Sequence, residues 1–198
     1  MGSKSGGMGQ TKVPKPKAGT RRLMLLRHAK SSWDDASLAD HDRPLAPRGN
    51  RAAKQMGKFI AERGLIPDHI ICSSAKRTLE TMSRIERDWP NPVAAEIDRN
   101  IYLAGTDELR QRIAMTKGDI TSLMVIGHNP DFQQLVLELL DASAEPEHAA
   151  DIRRKFPTAA LAIFDLEIED WDQLGNQELK GSLVLYQIPR ALTGELAA

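Results

Sequence analysis

The chain has 198 residues, of which 41% are hydrophobic and 27% are charged, a composition typical of folded globular domains. Its 27 basic and 27 acidic side chains cancel, so no net charge draws it to nucleic acid or to a membrane surface, and we predict neither as a partner. The single cysteine, Cys72, excludes a disulfide framework and a zinc site built from several cysteines.

The first 20 residues are rich in glycine, serine, lysine and proline and have little apolar surface to bury. They are predicted to be a disordered tail or a remnant of cloning, and residues 21–198 are predicted to form a single domain. The sequence shows neither a secretory signal nor an apolar stretch of the ~20 residues that a membrane span needs. A cytoplasmic location is therefore expected.

Short apolar runs predict buried strands, and apolar residues three or four apart predict amphipathic helices. In chain order the sequence predicts a strand at 23–26, a helix at 47–63 that ends at Gly64, a strand at 70–72, a helix capped by Ser73 or Ser74, a helix at 106–116 with Thr106 as its cap, a strand at 122–126 and a helix that contains Phe132 and Leu140. This alternation predicts an α/β fold, a three-layer sandwich whose mostly parallel central sheet has helices on both faces.

The end of the chain has a different pattern. Phe164, Leu166 and Ile168 alternate with acidic residues, which predicts a strand with one buried face. Turn-forming residues at 173–176 then precede an apolar segment at 182–188. The sheet is therefore predicted to finish in a C-terminal antiparallel hairpin.

Polar residues suited to phosphate chemistry follow each of the first three predicted strands. Arg27 and His28 follow the first, Arg77 lies shortly after the second, and His128 follows the third. Ligands of open α/β sheets bind outside the carboxyl ends of the strands, so these side chains are expected to meet. Guanidinium groups match phosphate oxygens, and a neutral imidazole is a competent nucleophile. A second histidine can donate to the transferring group, which favours its protonated form.

Each of these residues also has an ordinary structural explanation. A lone histidine at a strand end is usually a polar loop residue, and Arg77 could form a surface ion pair with Glu80. Trp33 could be packing or a pocket wall, and the neighbouring serines could bind phosphate. The remaining histidines have no metal-ligand spacing and are interpreted as surface or loop residues: His41, His69 and His148. The prediction depends on all the features occurring together.

Several segments, in order, resemble the motifs of one family. They are LLRHAKSSW at 25–33, DRPL at 42–45 with Gly49, CSSAKRT at 72–78, GHNP at 127–130 and FPT at 156–158. These blocks resemble the histidine phosphatase superfamily, which includes the cofactor-dependent phosphoglycerate mutases. The RHAKSSW and DRPL forms resemble its SixA-type phosphohistidine phosphatase branch. The resemblance covers residues 22–190.

The resemblance implies a phosphoglycerate mutase-like α/β sandwich that needs neither a metal nor a cofactor. It implies His28 as the nucleophile of a covalent phosphohistidine intermediate, with His128 as the second catalytic residue. Arg27, Arg77 and His128 would form the phosphate pocket, and Arg43 would border it. The implied substrate is a phosphorylated protein that carries phosphohistidine, or a small phosphorylated molecule.

Two features depart from the family pattern. Ala46 stands where the family often has a threonine or serine helix cap, a change that costs about 1 kcal/mol of local stability. Larger members also carry an acid that protonates the leaving oxygen, and here four residues are candidates: Asp98, Asp34, Asp35 and Glu108. An ester needs that acid, whereas the imidazole of phosphohistidine takes a proton near neutral pH without help. The weak acid signal therefore favours a phosphorus–nitrogen substrate.

The same residues are also compatible with two other functions. The same pocket could serve a small-molecule phosphomonoesterase, and the domain could be a non-catalytic module that binds phosphate or a phosphoprotein. A binding module needs the arginine clamp but no nucleophile, so the presence of His28 beside the arginines favours an enzyme.

Overall fold

The computed structural model describes residues 12–192, and within them six strands form one mixed sheet. The strands are β1 (Arg21–Arg27), β2 (His69–Ser73), β3 (Ala94–Asp98), β4 (Ser122–Gly127), β5 (Leu161–Leu166) and β6 (Ser182–Gln187). Their order across the sheet is β3-β2-β4-β1-β5-β6. The first four strands pair in parallel, β5 is antiparallel to β1, and β6 is antiparallel to β5.

Helices cover both faces of this sheet. They are α1 (Pro47–Glu62), α2 (Lys76–Ile85), α3 (Thr106–Ala114), α4 (Asp131–Leu139), α5 (Pro146–Arg154) and the short α6 (Pro189–Leu192). The alternate side chains of β1 divide two cores, since Leu23 and Leu25 pack with α3, α4 and α5, while Met24 and Leu26 pack with α1 and α2. The predicted three-layer sandwich and its C-terminal antiparallel hairpin are thus confirmed. None of the helices within residues 12–192 is long and apolar enough to cross a membrane.

The two ends of α1 agree with the sequence analysis. Ala46 is its N-cap and makes no side-chain hydrogen bond to the helix, and Pro47 occupies the first turn. Gly64, at φ 67°, ends the helix: its N–H donates to the carbonyl of Ala61, and the Leu65 N–H donates to Ile60. Glycine adopts this left-handed backbone conformation at little energetic cost.

Two predicted caps are wrong. The residue before α2 is Ala75 and the one before α3 is Gly105, and neither side chain caps its helix. Ser73 is the last residue of β2, where its hydroxyl contacts His128, and Thr106 is already the first residue of α3. The Ser73 hydroxyl therefore hydrogen-bonds to a candidate site residue instead of to the helix N-terminus.

The sequence analysis did not predict β3 or α5, and the burial of β5 differs from its prediction. β3 is an exposed edge strand without apolar alternation, and α5 follows a loop that begins after α4. β5 is buried along almost its whole length, not on one face, because helices cover both faces of the sheet. Its half-buried Asp165 accepts from Arg22 at 2.7 Å, and Ile168 lies beyond the strand but still in the core.

Part of the predicted tail, residues 1–11, lies outside the described residues. The part from 12 to 20 contacts the domain: the Val13 N–H donates to Arg63 at 3.0 Å, and the Pro14 carbonyl accepts from Arg22 at 2.7 Å. Val13 also packs against the core on the α1 side. A domain boundary at residue 21 therefore stays a prediction.

Candidate active site

One pocket of about 280 Å³ opens at the carboxyl ends of the parallel strands. The structure brings all the sequence-predicted site residues into its lining: Arg27, His28, Arg43, Arg77 and His128. Their catalytic and binding roles stay predictions. The walls also include residues that the sequence analysis missed or left open, among them Asp40, Trp33 and Ser31.

The pairing of β1 with β4 places the two histidines side by side. Arg27 is in register with Gly127, so His28 and His128 each follow the last residue of a neighbouring strand. The His28 N–H continues the ladder by donating to the Gly127 carbonyl at 3.0 Å. The two ring centroids are 5.2 Å apart. Parallel pairing thus joins two residues that are distant in the chain.

His28 is held in one tautomer. Its Nδ1 lies 2.7 Å from the Ala29 carbonyl, and because a carbonyl only accepts, Nδ1 carries the hydrogen and Nε2 has the free lone pair. Burial lowers the pKa of His28 to about 3; the Ala29 hydrogen bond opposes this shift, and the charges of Arg77 and Arg27 add to it. The ring is therefore neutral at physiological pH.

His128 is also neutral. Arg77 Nη2 lies 3.2 Å from its Nδ1, which must accept because a guanidinium only donates, and Nε2 then donates to Ser73 Oγ at 2.8 Å. Burial, followed by His28 and Arg77, lowers the pKa of His128 to about 2. His128 is thus not protonated in this arrangement, because the ring is buried and Arg77 lies beside it. A phosphoryl dianion in the pocket would favour protonation.

The two arginines at the base of the pocket are close to each other and only partly neutralised. Arg77 is 4% exposed and donates to the Asp40 carbonyl at 2.5 Å and to the Asp40 carboxylate at 3.0 Å. Arg27 donates to the Phe156 carbonyl at 2.6 Å, and its Nε is buried with no partner among residues 12–192. Burial, and then the charge of Arg77, lowers the pKa of Arg27. An anion between the two would relieve this repulsion.

The ion pair between Arg77 and Glu80, the alternative explanation for Arg77, does not form. The carboxylate of Glu80 instead accepts from the Leu45 N–H at 2.7 Å. Glu80 therefore holds the segment before α1, and the Arg77 guanidinium lines the pocket without an ion pair to Glu80.

Arg43 organises the loop between β1 and α1. It donates from Nε to the Ser32 carbonyl at 2.9 Å, from Nη2 to Ser31 Oγ at 3.0 Å and from Nη1 to Asp40 at 2.9 Å. The guanidinium carbon lies 3.1 Å from the centroid of the Trp33 ring. Arg43 lines the pocket, but most of its contacts shape the loop, so its role as a phosphate ligand stays a prediction.

Asp40 is the main residue that the sequence analysis missed. Its carboxylate bridges Arg43 and Arg77 and accepts from the Tyr102 hydroxyl at 2.6 Å. The Tyr102 hydrogen bond, the charge of Arg77 and the hydrogen bond from Arg43 lower the pKa of Asp40 to about 2, against the effect of burial. The only sequence signal was its position two residues before DRPL, because its partners Arg77 and Tyr102 are far along the chain.

None of the four candidate acids lines the pocket. Asp98 pairs with Arg112 and accepts from the Asn100 N–H at 2.7 Å. Burial alone would raise the pKa of Asp98, but the bonds from Arg112 and Asn100 lower it. Asp34, Asp35 and Glu108 are exposed.

Lys30, Leu103, Asn129 and Thr158 are further lining residues. Residues 12–192 contain no group of three or more His, Cys, Asp or Glu that could hold a metal ion.

Comparison with known proteins identifies the family. Residues 23–101 match the family model of the histidine phosphatase superfamily, branch 1. The chain is also 34% identical over 139 residues to an uncharacterized protein of Mycobacterium tuberculosis, Rv1276c, an alignment that covers 70% of this chain and 85% of that protein. The chain belongs to the histidine phosphatase superfamily.

Within the histidine phosphatases, solved structures refine the assignment. A candidate phosphohistidine phosphatase SixA from Nakamurella multipartitia superposes with a TM-score of 0.72 at 29% identity, over 88% of this chain and 99% of that one. A second candidate SixA, from Agrobacterium tumefaciens, gives 0.71 at 27% identity, over 85% and 98%. This histidine phosphatase therefore has the phosphoglycerate mutase-like fold and lies in the SixA-like branch. Both the family and these structures support phosphatase activity.

Proposed function

We propose that this histidine phosphatase hydrolyses phosphohistidine or another phosphoramidate through a covalent phosphohistidine intermediate on His28. One observation carries the proposal. His28 lies in the pocket as a neutral imidazole with its hydrogen on Nδ1, so that Nε2 is the nitrogen with a lone pair to offer. Its neighbours Arg27 and Arg77 supply positive charge and hydrogen-bond donors for a phosphoryl group, and His128 lies beside it.

In the first step, Nε2 of His28 forms a bond to phosphorus while the bond from phosphorus to the leaving imidazole breaks. The electron pair of the broken bond stays on the leaving nitrogen, and the ring leaves neutral if its other nitrogen was already protonated. His28 keeps the hydrogen on Nδ1, which the Ala29 carbonyl accepts. The positive charge that His28 then carries is balanced by the attached phosphoryl group.

In the second step, a water oxygen bonds to phosphorus and the bond to Nε2 breaks. The electron pair returns to His28, the water gives one proton to solvent, and inorganic phosphate leaves. In both steps the pocket's arginines would hold the charge on the peripheral phosphoryl oxygens. His128, beside His28 at 5.2 Å between ring centroids, would donate to one of those oxygens once the bound dianion raises its proton affinity.

The acid–base properties of the pocket favour a phosphorus–nitrogen bond over an ester. Asp40 is the carboxylate in the described lining, and a pKa of about 2 keeps it ionised at neutral pH. It cannot protonate an alkoxide leaving group, and Asp98 is held by Arg112 outside the lining. A leaving imidazole needs no such acid. A phosphomonoesterase on the same site is therefore the weaker alternative.

The test is to trap the phosphoenzyme after mixing with phosphoramidate or a phosphohistidine peptide. We expect mass spectrometry to show an acid-labile phosphate on the wild type that is missing from His28→Ala. His148→Ala is the matched control, because His148 lies outside the pocket against Tyr186, and it should retain the adduct. Wild type that forms no adduct and releases no phosphate, yet melts higher with vanadate, would instead be a phosphate-binding module.

A further inference from the structure

Trp33 is the most conspicuous apolar side chain at the mouth of the pocket. It lines the pocket and yet is 70% exposed to solvent, whereas the other described tryptophans, Trp89 and Trp171, are buried. A large aromatic ring exposed beside a polar pocket is in a position to contact a group that the pocket binds.

The indole ring is held from one side. The guanidinium of Arg43 stacks over it, with its central carbon 3.1 Å from the ring centroid. Arg43 is itself fixed by hydrogen bonds to Ser31, the Ser32 carbonyl and Asp40. A stacked guanidinium covers only one face of an indole, and the high exposure of Trp33 shows that the other face is open. The platform is therefore preorganised before a ligand arrives.

Leu103 is a second unusual residue in the same lining. It is 50% exposed and adopts φ 53°, a left-handed conformation that is strained for a bulky side chain. Neighbouring contacts hold it there, because the adjacent Tyr102 donates to Asp40 and packs edge-on against His41 and His128. Strained backbone that presents an apolar side chain at a pocket rim is typical of a ligand-contacting position.

We propose that Trp33 and Leu103 form a subsite for the leaving group, and that it accepts a planar ring, the imidazole of a phosphohistidine side chain. This inference rests on the function proposed above and names the part of the substrate that the phosphate pocket does not hold. A flat ring can stack on the open face of the indole. The stacking is strongest when that ring is a protonated cation, because the indole face attracts positive charge through a cation–π interaction. A protonated imidazole is also the better leaving group.

The test compares two substrates that carry the same phosphoryl group. Phosphoimidazole has a ring leaving group, and phosphoramidate has only ammonia. We expect Trp33→Ala to lower the ratio of kcat/KM for phosphoimidazole over phosphoramidate by about tenfold, the factor that corresponds to about 1.4 kcal/mol of lost contact. Trp33→Phe keeps a flat ring and should restore most of the ratio. Leu103→Ala should lower it by a smaller factor.

Met115→Ala is the matched control, since Met115 is an exposed apolar side chain outside the pocket, and the ratio should stay at the wild-type value. An unchanged ratio in Trp33→Ala would overturn the subsite. Equal losses on both substrates would also overturn it, since Trp33 would then act through Arg43 on the phosphoryl end. Wild type that hydrolyses neither substrate would contradict the proposed function itself. This outcome is seen in the wild type alone, so it is distinguishable from failure of the subsite, which is seen in the variants.

Discussion

Arg77 is the residue on which the electrostatics of the pocket most depend. It touches Asp40 through both terminal nitrogens and also donates to His128, and its charge lowers the pKa of His28, His128 and Arg27. It therefore acts on the proposed nucleophile and on the proposed phosphate ligands together. The buried guanidinium offers a planar fork that a lysine ammonium cannot copy.

We expect Arg77→Ala to lower kcat/KM for phosphoramidate by about a hundredfold or more and to weaken competitive inhibition by vanadate in parallel. Both effects would follow from the loss of a positive group that is proposed to contact the transferring phosphoryl. Arg77→Lys should recover only part of the activity. Arg87→Ala, which changes an exposed arginine beyond the same helix, is the control. A normal rate in Arg77→Ala would remove Arg77 from the site.

At the scale of elements, the site depends on how closely α1 approaches the end of β1. Gly49 lies in the first turn of α1, and a Cβ built on it would overlap the backbone carbonyl of Lys30, two residues after His28. The Lys30 carbonyl also accepts from the Ala46 N–H at 2.8 Å. The first turn of the helix therefore fixes the backbone that follows the proposed nucleophile.

Gly49→Ala should destabilise the domain by about 1–3 kcal/mol, because neither backbone can move without disturbing the other. We also expect kcat/KM to fall in the protein that remains folded, since Lys30 and with it His28 must shift. Urea unfolding and steady-state kinetics measure the two effects. Gly175→Ala is the control, because a Cβ there would meet nothing within 4 Å. Similar behaviour of both variants would mean that the contact between α1 and β1 is loose.

At the scale of the whole molecule, the site costs stability in acid. His28 and His128 have folded-state pKa values of about 3 and 2, well below the 6.5 of a free imidazole that the unfolded chain would show. The unfolded state therefore binds more protons than the folded state as the pH falls below about 6.5, so stability is lost in that direction. Asp40 adds to this loss only below its ordinary pKa of 3.8, because at higher pH its carboxylate is ionised in both the folded and the unfolded state.

We expect the free energy of unfolding to fall by about 1.4 kcal/mol per histidine for each pH unit below about 6.5. Urea titrations at about pH 7.5 and about pH 5 measure this slope. The double variant His28→Asn/His128→Asn should remove most of it, and added phosphate should reduce it by stabilising the protonated rings. A slope that persists in the double variant would place the acid sensitivity elsewhere in the molecule.

The sequence by itself determined the fold class, the central strands of the sheet and the edge at which the candidate site residues lie. Buried strands appear in the sequence as continuous apolar runs. Because the carboxyl ends of parallel strands lie at one edge of the sheet, the residues that follow them must lie close together there. The location of Arg27, His28, Arg77 and His128 at this edge could therefore be predicted. The exposed strand β3 could not, because an edge strand without a buried face has no periodic pattern.

Only the tertiary structure decided how these groups are connected. Arg77 contacts Asp40 and not Glu80, Ser73 contacts His128 and caps no helix, and burial lowers the pKa of His128. These outcomes depend on contacts between segments distant in the chain, and on the burial of charges that those contacts produce. Local sequence fixes which residue types are present and roughly where the strands end. It contains no signal for hydrogen-bond partners or dielectric surroundings, because packing alone brings distant segments together.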